Sequence, residues 1–211
     1  MNLGVGSLGI IAIISVFMGA VITIQTASNI DSAFIPLYTV GFATRQSVLL
    51  EFSPTIIALI LAGKVGSNIS SEIGQMRVSE QIDALEIMGI NSASYLILPK
   101  ITAAVIINPF LILISMFLGI AGGWVAGTAT GIVPSVDFLY GIQYDFNPFA
   151  VTYAMIKTVI FAFVLTSIPS YHGYYASGGA LEVGKSSTRA VVYTSIVILI
   201  LNYFITQMLL I

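Results

Sequence analysis

Five stretches of this chain, at about residues 8–28, 46–66, 102–126, 150–168 and 190–210, are long and apolar enough to cross a lipid bilayer. A helix needs about 20 mainly apolar residues to span roughly 30 Å of hydrocarbon. The first stretch contains LGIIAIISVFMGAVITI and no charge. The second holds a single acid, Glu51, and the fourth a single base, Lys157. The third lies in a run without charge from residue 101 to 136, and the fifth is uncharged from residue 190 to the last residue. Composition agrees: of 211 residues, 57% are hydrophobic and 8% charged, and the mean hydropathy is +1.02. A soluble domain carries roughly 25% charged residues, so lipid must be the solvent for most of this surface. The expected fold is an all-α integral membrane protein with five transmembrane helices. The first span lacks a basic start and a small-residue cleavage site, so it is read as a retained helix rather than a signal peptide.

Several functions are excluded early. The net charge is −2 and there is no basic block, which argues against nucleic acid. The chain has no cysteine, so it can form neither disulfides nor thiolate metal sites, and its one histidine, His172, cannot make a histidine cluster. No nucleophile–base set appears. The expectation is no catalytic residue, no metal and no cofactor. No solenoid-length repeat, soluble domain or low-complexity linker is visible.

Basic residues set the expected orientation. Lys64, Arg77 and Lys100 flank or lie in the segment 64–100, and Lys185 and Arg189 lie in 170–189. The segment 127–149 has only Asp137 and Asp145, and 29–46 has Asp31 and Arg45. The positive-inside rule places 64–100 and 170–189 in the cytoplasm. Five crossings then put the N-terminus inside and the C-terminus outside. Gly119, Gly123 and Gly127 recur every fourth residue on one face of the third span, a spacing that lets helix backbones approach closely. Pro54 and Pro109 lie inside spans two and three and are expected to kink them.

The loop 67–99 is the only long polar segment and carries Glu72, Arg77, Glu80, Asp83 and Glu86. Residues 79–88 contain strong helix formers and no Gly or Pro. Ser79 is a plausible N-cap and Gly89 a plausible stop. Ile82 and Leu85 would share an apolar face, with Glu80, Asp83 and Glu86 as an acidic stripe on another. A short amphipathic helix of this kind can dock on a soluble partner; the plainer alternative is a solvated loop.

Residues 179–186 read GALEVGKS, which matches the phosphate-binding pattern G-x-x-x-x-G-K-[ST]. That pattern works only where a buried strand leads into the loop and a helix leaves it. No alternation of strands and helices exists here, so the string is read as a chance match, with Lys185 and Arg189 anchoring at lipid headgroups.

Ionisable groups at membrane depth are costly unless paired or wetted, and are functional candidates for that reason. Glu51 precedes Lys64 by about 13 residues, or about 20 Å of helix rise. Lys157 lies a few residues into a span descending from the outer face. Both are expected at a similar outer-leaflet depth, where pairing or a shared cavity is possible; the alternative is that each snorkels to the interface.

The motifs then resemble a known family. Glu51, Phe52, Ser53 and Pro54, then AGKVGS at 62–67, SEIGQMR at 71–77 and EQIDALEIM at 80–88 are similar to the signature region of the MlaE/YrbE permeases, the membrane subunits of ABC-type lipid transporters that work with MCE proteins. Lys157, followed by an apolar run, resembles a lysine at the corresponding place in that family. The resemblance covers almost the whole chain and implies a single transmembrane permease domain over residues 1–211, in a bacterial inner membrane. It implies a second permease copy, an outward-facing apolar cavity for phospholipid, a cytoplasmic ABC ATPase that hydrolyses the ATP, and a periplasmic MCE-domain protein. It also allows for a small ATPase-associated regulatory subunit. Glu51 and Lys157 would meet the lipid headgroup. Arg77, Glu80, Gln81, Asp83, Leu85 and Glu86 would form the coupling region, with the coupling helix at about 79–88. Gly63 and Gly66 join Gly119, Gly123 and Gly127 as helix-packing positions. The chain departs from the family where Leu50 replaces an arginine common before the glutamate, where Ser53 replaces a glycine, and in starting close to span one, ahead of which family members carry an amphipathic helix.

The alternative function is an ATP-independent secondary transporter or channel, which would call for paired intramembrane charges or internal repeats. A non-transporting assembly subunit is a third reading, and it would leave Glu51 and Lys157 freely replaceable.

Overall fold

The computed structural model describes residues 5–30 and 35–210, so Asp31 of the loop at 29–46 lies outside the described residues. Among the described residues the regular structure is helical throughout. The α-helices are α1 (Leu8–Ser28), α2 (Tyr38–Ser47), α3 (Ile57–Leu61), α4 (Ser67–Val78), α5 (Gln81–Ile87), α6 (Ser92–Leu96), α7 (Leu98–Ala129), α8 (Ser135–Gln143), α9 (Phe149–Tyr174) and α10 (Ala180–Leu210). Two π-helical segments, Val48–Ile56 and Ala62–Gly66, join α2 to α4. Five helical stretches are long and apolar enough to cross a membrane: Leu8–Ser28, Tyr38–Val78, Ser92–Ala129, Phe149–Tyr174 and Ala180–Leu210. Most extend well beyond the apolar cores read from the sequence. Hydropathy marks where side chains meet hydrocarbon, whereas the hydrogen-bond ladder propagates into polar flanks at little further cost.

Pro54 sits inside the first π-helical segment. Proline has no N–H to donate, and its ring crowds the carbonyl four residues back, here Leu50. The wider π-turn accommodates both problems within a continuous helix. The expected irregularity at Pro54 is thus a change of helical pitch. Pro109 lies within α7, which runs on to Ala129.

The chain forms two compact units. One comprises Gly6–Ile57 and Phe110–Ile156; the other consists chiefly of Ala58–Pro109 and Lys157–Ile211.

In the first unit, α1 and α7 touch backbone to backbone. A Cβ added at Gly19 would land on the carbonyl of Gly119, and one added at Gly122 on the carbonyl of Val16. At Gly123 it would strike the Thr23 hydroxyl, and at Gly127 it would sit 3.1 Å from Thr23 Cγ2. Thr23 donates to the Gly19 carbonyl at 2.9 Å, and its hydroxyl lies 3.2 Å from that of Thr44. Gly119, Gly123 and Gly127 each have an α1 residue within 4 Å of such a Cβ, and Gly122 is a further contact of α7 outside the four-residue repeat.

α2 and α8 pack as closely in this unit. A Cβ at Gly41 would meet the Phe138 carbonyl, and one at Gly141 the Tyr38 carbonyl. Val40, Val133 and Phe138 form a fully buried cluster beside them. Arg45 is 2% exposed. Its Nη1 donates to the carbonyls of Ile142 at 2.7 Å and Tyr144 at 2.9 Å, and its Nη2 to that of Asp145 at 3.3 Å. Phe42 and Phe146 lie against the guanidinium at 5.0 and 5.5 Å. A buried cation is tolerable here because it satisfies the carbonyls at the C-terminal end of α8, where the helix dipole is negative.

In the second unit, α4 packs against α10. The hydroxyls of Ser71 and Ser187 are 2.7 Å apart, and Ser187 also lies 3.4 Å from the Ser67 carbonyl. A Cβ at Gly66 would sit 3.1 Å from Pro169 Cγ, one at Gly74 3.0 Å from Val183 Cγ1, and one at Gly173 2.6 Å from the Ser70 carbonyl. Gly63 differs. A Cβ there would meet nothing within 4 Å, so no close approach within the chain calls for glycine at that position.

These contacts separate two glycines that look alike in sequence. Gly122→Ala should force α1 and α7 apart and cost about 1–3 kcal/mol, read as a lower unfolding temperature in detergent by the fluorescence of Trp124, the chain's single tryptophan. Gly63→Ala should leave that temperature unchanged or raise it. Equal effects of the two substitutions would refute the packing.

Candidate functional site

The first motif, from Glu51 to Pro54, occupies the π-helical segment Val48–Ile56, and AGKVG of the second motif forms the other, Ala62–Gly66. π-turns are rare and recur at functional positions because they shift side chains out of α-helical register. Glu51 is half-buried on the first of these segments and accepts a hydrogen bond from Thr55 Oγ1 at 3.2 Å. Lys157 is fully buried, with 0% exposure, on α9. Glu51 belongs to the first unit and Lys157 to the second.

Beside Glu51, in the first unit, Ser53 takes part in a buried chain of hydroxyls. Ser15 Oγ lies 2.8 Å from Ser115 Oγ, and Ser115 donates to Ser53 Oγ at 3.1 Å. A hydroxyl in an apolar helix interface needs such a partner. The serine that departs from the family's glycine therefore bonds across to α7. Around this chain runs a narrow apolar cleft lined by Ile14, Met18, Val48, Phe52 and Ile56, with a free volume of about 10 Å³, room for one water. Nothing in a single sequence pairs Ser53 with Ser115, because the two lie on different helices.

The polar hairpin between α4 and α7 has a definite shape. Ser79, read as an N-cap, instead ends α4: its hydroxyl donates to the Gln75 carbonyl at 2.8 Å. Glu80 then takes a left-handed conformation with φ 60°, and α5 starts at Gln81. Glu80 therefore lies outside the helix, and the expected acidic stripe is broken there. Gly89 does stop α5. At φ 77° its N–H reaches the Glu86 carbonyl at 2.9 Å, and the N–H of Ile90 reaches the Leu85 carbonyl at 3.0 Å, a Schellman ending.

The other two acids fasten the hairpin to the end of α9. Asp83 pairs with Arg77 at 2.5 Å, and the Arg77 guanidinium lies 5.9 Å from the ring centre of Tyr174. Glu86 Oε1 accepts from the Tyr174 hydroxyl at 2.8 Å and from Ser92 Oγ at 2.9 Å. Tyr174 is the hub of this cluster, and sequence reasoning missed it, since aromatic residues near a span end are ordinary interface features. Behind it, Lys100 pairs with Glu72 at 2.6 Å. Ile82 is buried and Leu85 half-buried, while Gln81 is exposed. Ile87 and Met88, at 88% and 65%, leave an apolar tip in solvent.

The string GALEVGKS lies in the first turns of α10, with Gly184, Lys185 and Ser186 all helical. Among the described residues no strand precedes it. Lys185 pairs with Glu182 at 2.6 Å rather than extending from a phosphate cradle. This is the geometry of a helix start, not of a nucleotide loop.

Tyr174, followed by Ser92, holds the Glu86 carboxyl below its ordinary 4.5. A folded value below the unfolded one adds stability that is complete above about pH 4.5 and is lost as pH falls through the lowered value. Hydrogen exchange of amides 84–92, corrected for intrinsic rate, should therefore stay protected down through pH 4.5 and rise only below it. Tyr174→Phe should move that rise to higher pH. A profile unchanged by Tyr174→Phe would remove Tyr174 from the latch.

Comparison with known proteins now bears on the whole arrangement. The family described as "Permease MlaE" matches residues 1–208. A "Probable ABC transporter permease protein" of Rickettsia bellii is 37% identical over 206 residues, covering 98% of this chain and 79% of that one. The "Intermembrane phospholipid transport system permease protein MlaE" of Haemophilus influenzae is 32% identical, covering 97% and 78%. The chloroplastic protein TRIGALACTOSYLDIACYLGLYCEROL 1 of Arabidopsis thaliana is 30% identical, covering 97% and 58%. The chain belongs to the MlaE permease family and is a multi-pass membrane permease of the ABC-transporter type.

Proposed function

We propose that this protein is the membrane-spanning subunit of an ATP-driven transporter that moves phospholipid between the inner and outer membranes of a bacterium. Two copies work with a cytoplasmic ATPase that carries out the hydrolysis and with a periplasmic MCE-domain protein, in an assembly that allows for a small ATPase-associated subunit. Residues 1–211 act as one permease domain in the inner membrane, N-terminus inside and C-terminus outside. The named relative in Haemophilus influenzae supports the cargo.

The observation that carries the coupling part of the reading is the tip of the hairpin. Adjacent apolar side chains exposed together outside the spans are the kind of surface that a partner protein covers. Ile87 and Met88 form such a surface, with Gln81 on the same short helix and Glu80 at its rim. Arg77, Asp83 and Glu86 brace α5 from behind, and Leu85 seats it. A push on the tip therefore passes through Tyr174 into α9. Glu51 and Lys157 handle the polar headgroup, and apolar side chains of α1 and the first π-helical segment accept the acyl chains. The mechanism is mechanical: ATP binding moves the hairpin, the dimer interface rearranges, and the cavity narrows around the lipid.

Reconstitution of the complex tests this. The double substitution Glu80→Lys and Ile87→Arg, at exposed positions, should lower permease-dependent ATPase activity about thirtyfold, a loss of about 2 kcal/mol at a docking hot spot. Glu51→Gln and Lys157→Met should instead reduce the phospholipid that co-purifies, read by mass spectrometry, with the ATPase still bound. ATPase activity indifferent to the first pair, or conduction in liposomes without any ATPase, would favour the ATP-independent alternative.

A further inference from the structure

A polar cleft of about 140 Å³ lies in the second unit, between the end of α9 and the start of α10. The transport reading makes no use of it. Tyr171, His172, Tyr175, Ser177, Glu182 and Arg189 line it. Glu182 and Arg189 carry the charges of this lining, and Lys185, paired with Glu182 at 2.6 Å just outside it, brings the local balance to one net positive charge. The cleft is also held in shape. The His172 ring stacks on Tyr193 with centroids 5.2 Å apart and planes 13° apart, Ser186 Oγ donates to the His172 carbonyl at 2.5 Å, and the Tyr171 and Tyr175 rings pack at 4.9 Å.

We propose that this cleft binds the phosphate of an anionic phospholipid from the surrounding leaflet, a resident lipid separate from the transported one. Arg189 supplies the charge and the forked donor set that fits phosphate, and the hydroxyls of Tyr171, Tyr175 and Ser177 supply neutral donors. The location decides the source of the phosphate. The cleft opens where two membrane-spanning helices end, and Tyr171, Tyr175 and Tyr193 are 61%, 68% and 53% exposed around it. Exposed tyrosines at span ends sit at headgroup level, where lipid phosphates are concentrated. The first turn of α10 begins beside the cleft, and the positive end of its dipole adds to the attraction.

His172 is the chain's only histidine, so its ring signals in a histidine-labelled NMR spectrum report on this cleft alone. The experiment uses the full chain in dodecylmaltoside micelles, titrated separately with dihexanoyl phosphatidic acid, dihexanoyl phosphatidylcholine and inorganic phosphate. The expected result is a saturable shift with phosphatidic acid at least tenfold tighter than with the other two, weakened at least tenfold by Arg189→Gln and partly restored by Arg189→Lys. Arg189 is exposed, and an unchanged Trp124 emission spectrum will confirm that the variants fold. Inorganic phosphate binding as tightly as phosphatidic acid would overturn the lipid source. Absence of saturation, or affinity unaffected by Arg189→Gln, would overturn the site. None of these readouts involves ATPase activity or transported lipid, so the site and the transport reading fail separately.

Discussion

Inside a bilayer, two helices gain little by hiding apolar side chains from each other, because lipid tails are equally apolar. What remains is close contact and hydrogen bonding, and both require the backbones to come near. The meeting of α1 with α7 depends on this. Gly19, Gly119 and Gly122 leave room for carbonyls where side chains would otherwise stand. Once the backbones are that close, short hydroxyl side chains reach across, and Ser15, Ser115 and Ser53 link three helical segments. The same economy recurs between α2 and α8, where Gly41 and Gly141 allow contact and Arg45 ties down the end of α8. In the second unit Gly66, Gly74 and Gly173 do it for α4, α9 and α10.

Against this tight packing, the motif that carries the family signature is built from irregular helix. A π-turn widens the helix and shifts its hydrogen bonds from the i+4 to the i+5 partner. Any backbone group that such a change left unbonded would be penalised if it faced lipid. Segments Val48–Ile56 and Ala62–Gly66 are flanked by buried side chains such as Val48, Leu49, Ser53 and Val65. Pro54 lies inside the first of these segments, where it has no N–H to give to the ladder.

The polar hairpin obeys different physics. It stands in water, where a single ion pair such as Arg77 with Asp83 contributes little alone. Its order comes from convergence: Arg77, Glu86 and Ser92 all reach Tyr174 or one another. The outcome is a braced helix that ends in two large exposed apolar side chains, Ile87 and, at its cap, Met88.

The number and type of the spans, the family motifs and the small-residue face of α7 were legible in the linear sequence. Each rests on a property of consecutive or regularly spaced residues: hydropathy over about 20 positions, or a helical repeat. Gly89 as a stop was legible for the same reason. The tertiary structure decided the rest. It turned Ser79 from a start into an end, put Glu80 outside α5, left Gly63 in open space, and matched Ser53 with Ser115 and Glu86 with Tyr174. Those outcomes depend on pairs of residues far apart along the chain, and only folding brings such pairs within hydrogen-bonding or van der Waals reach.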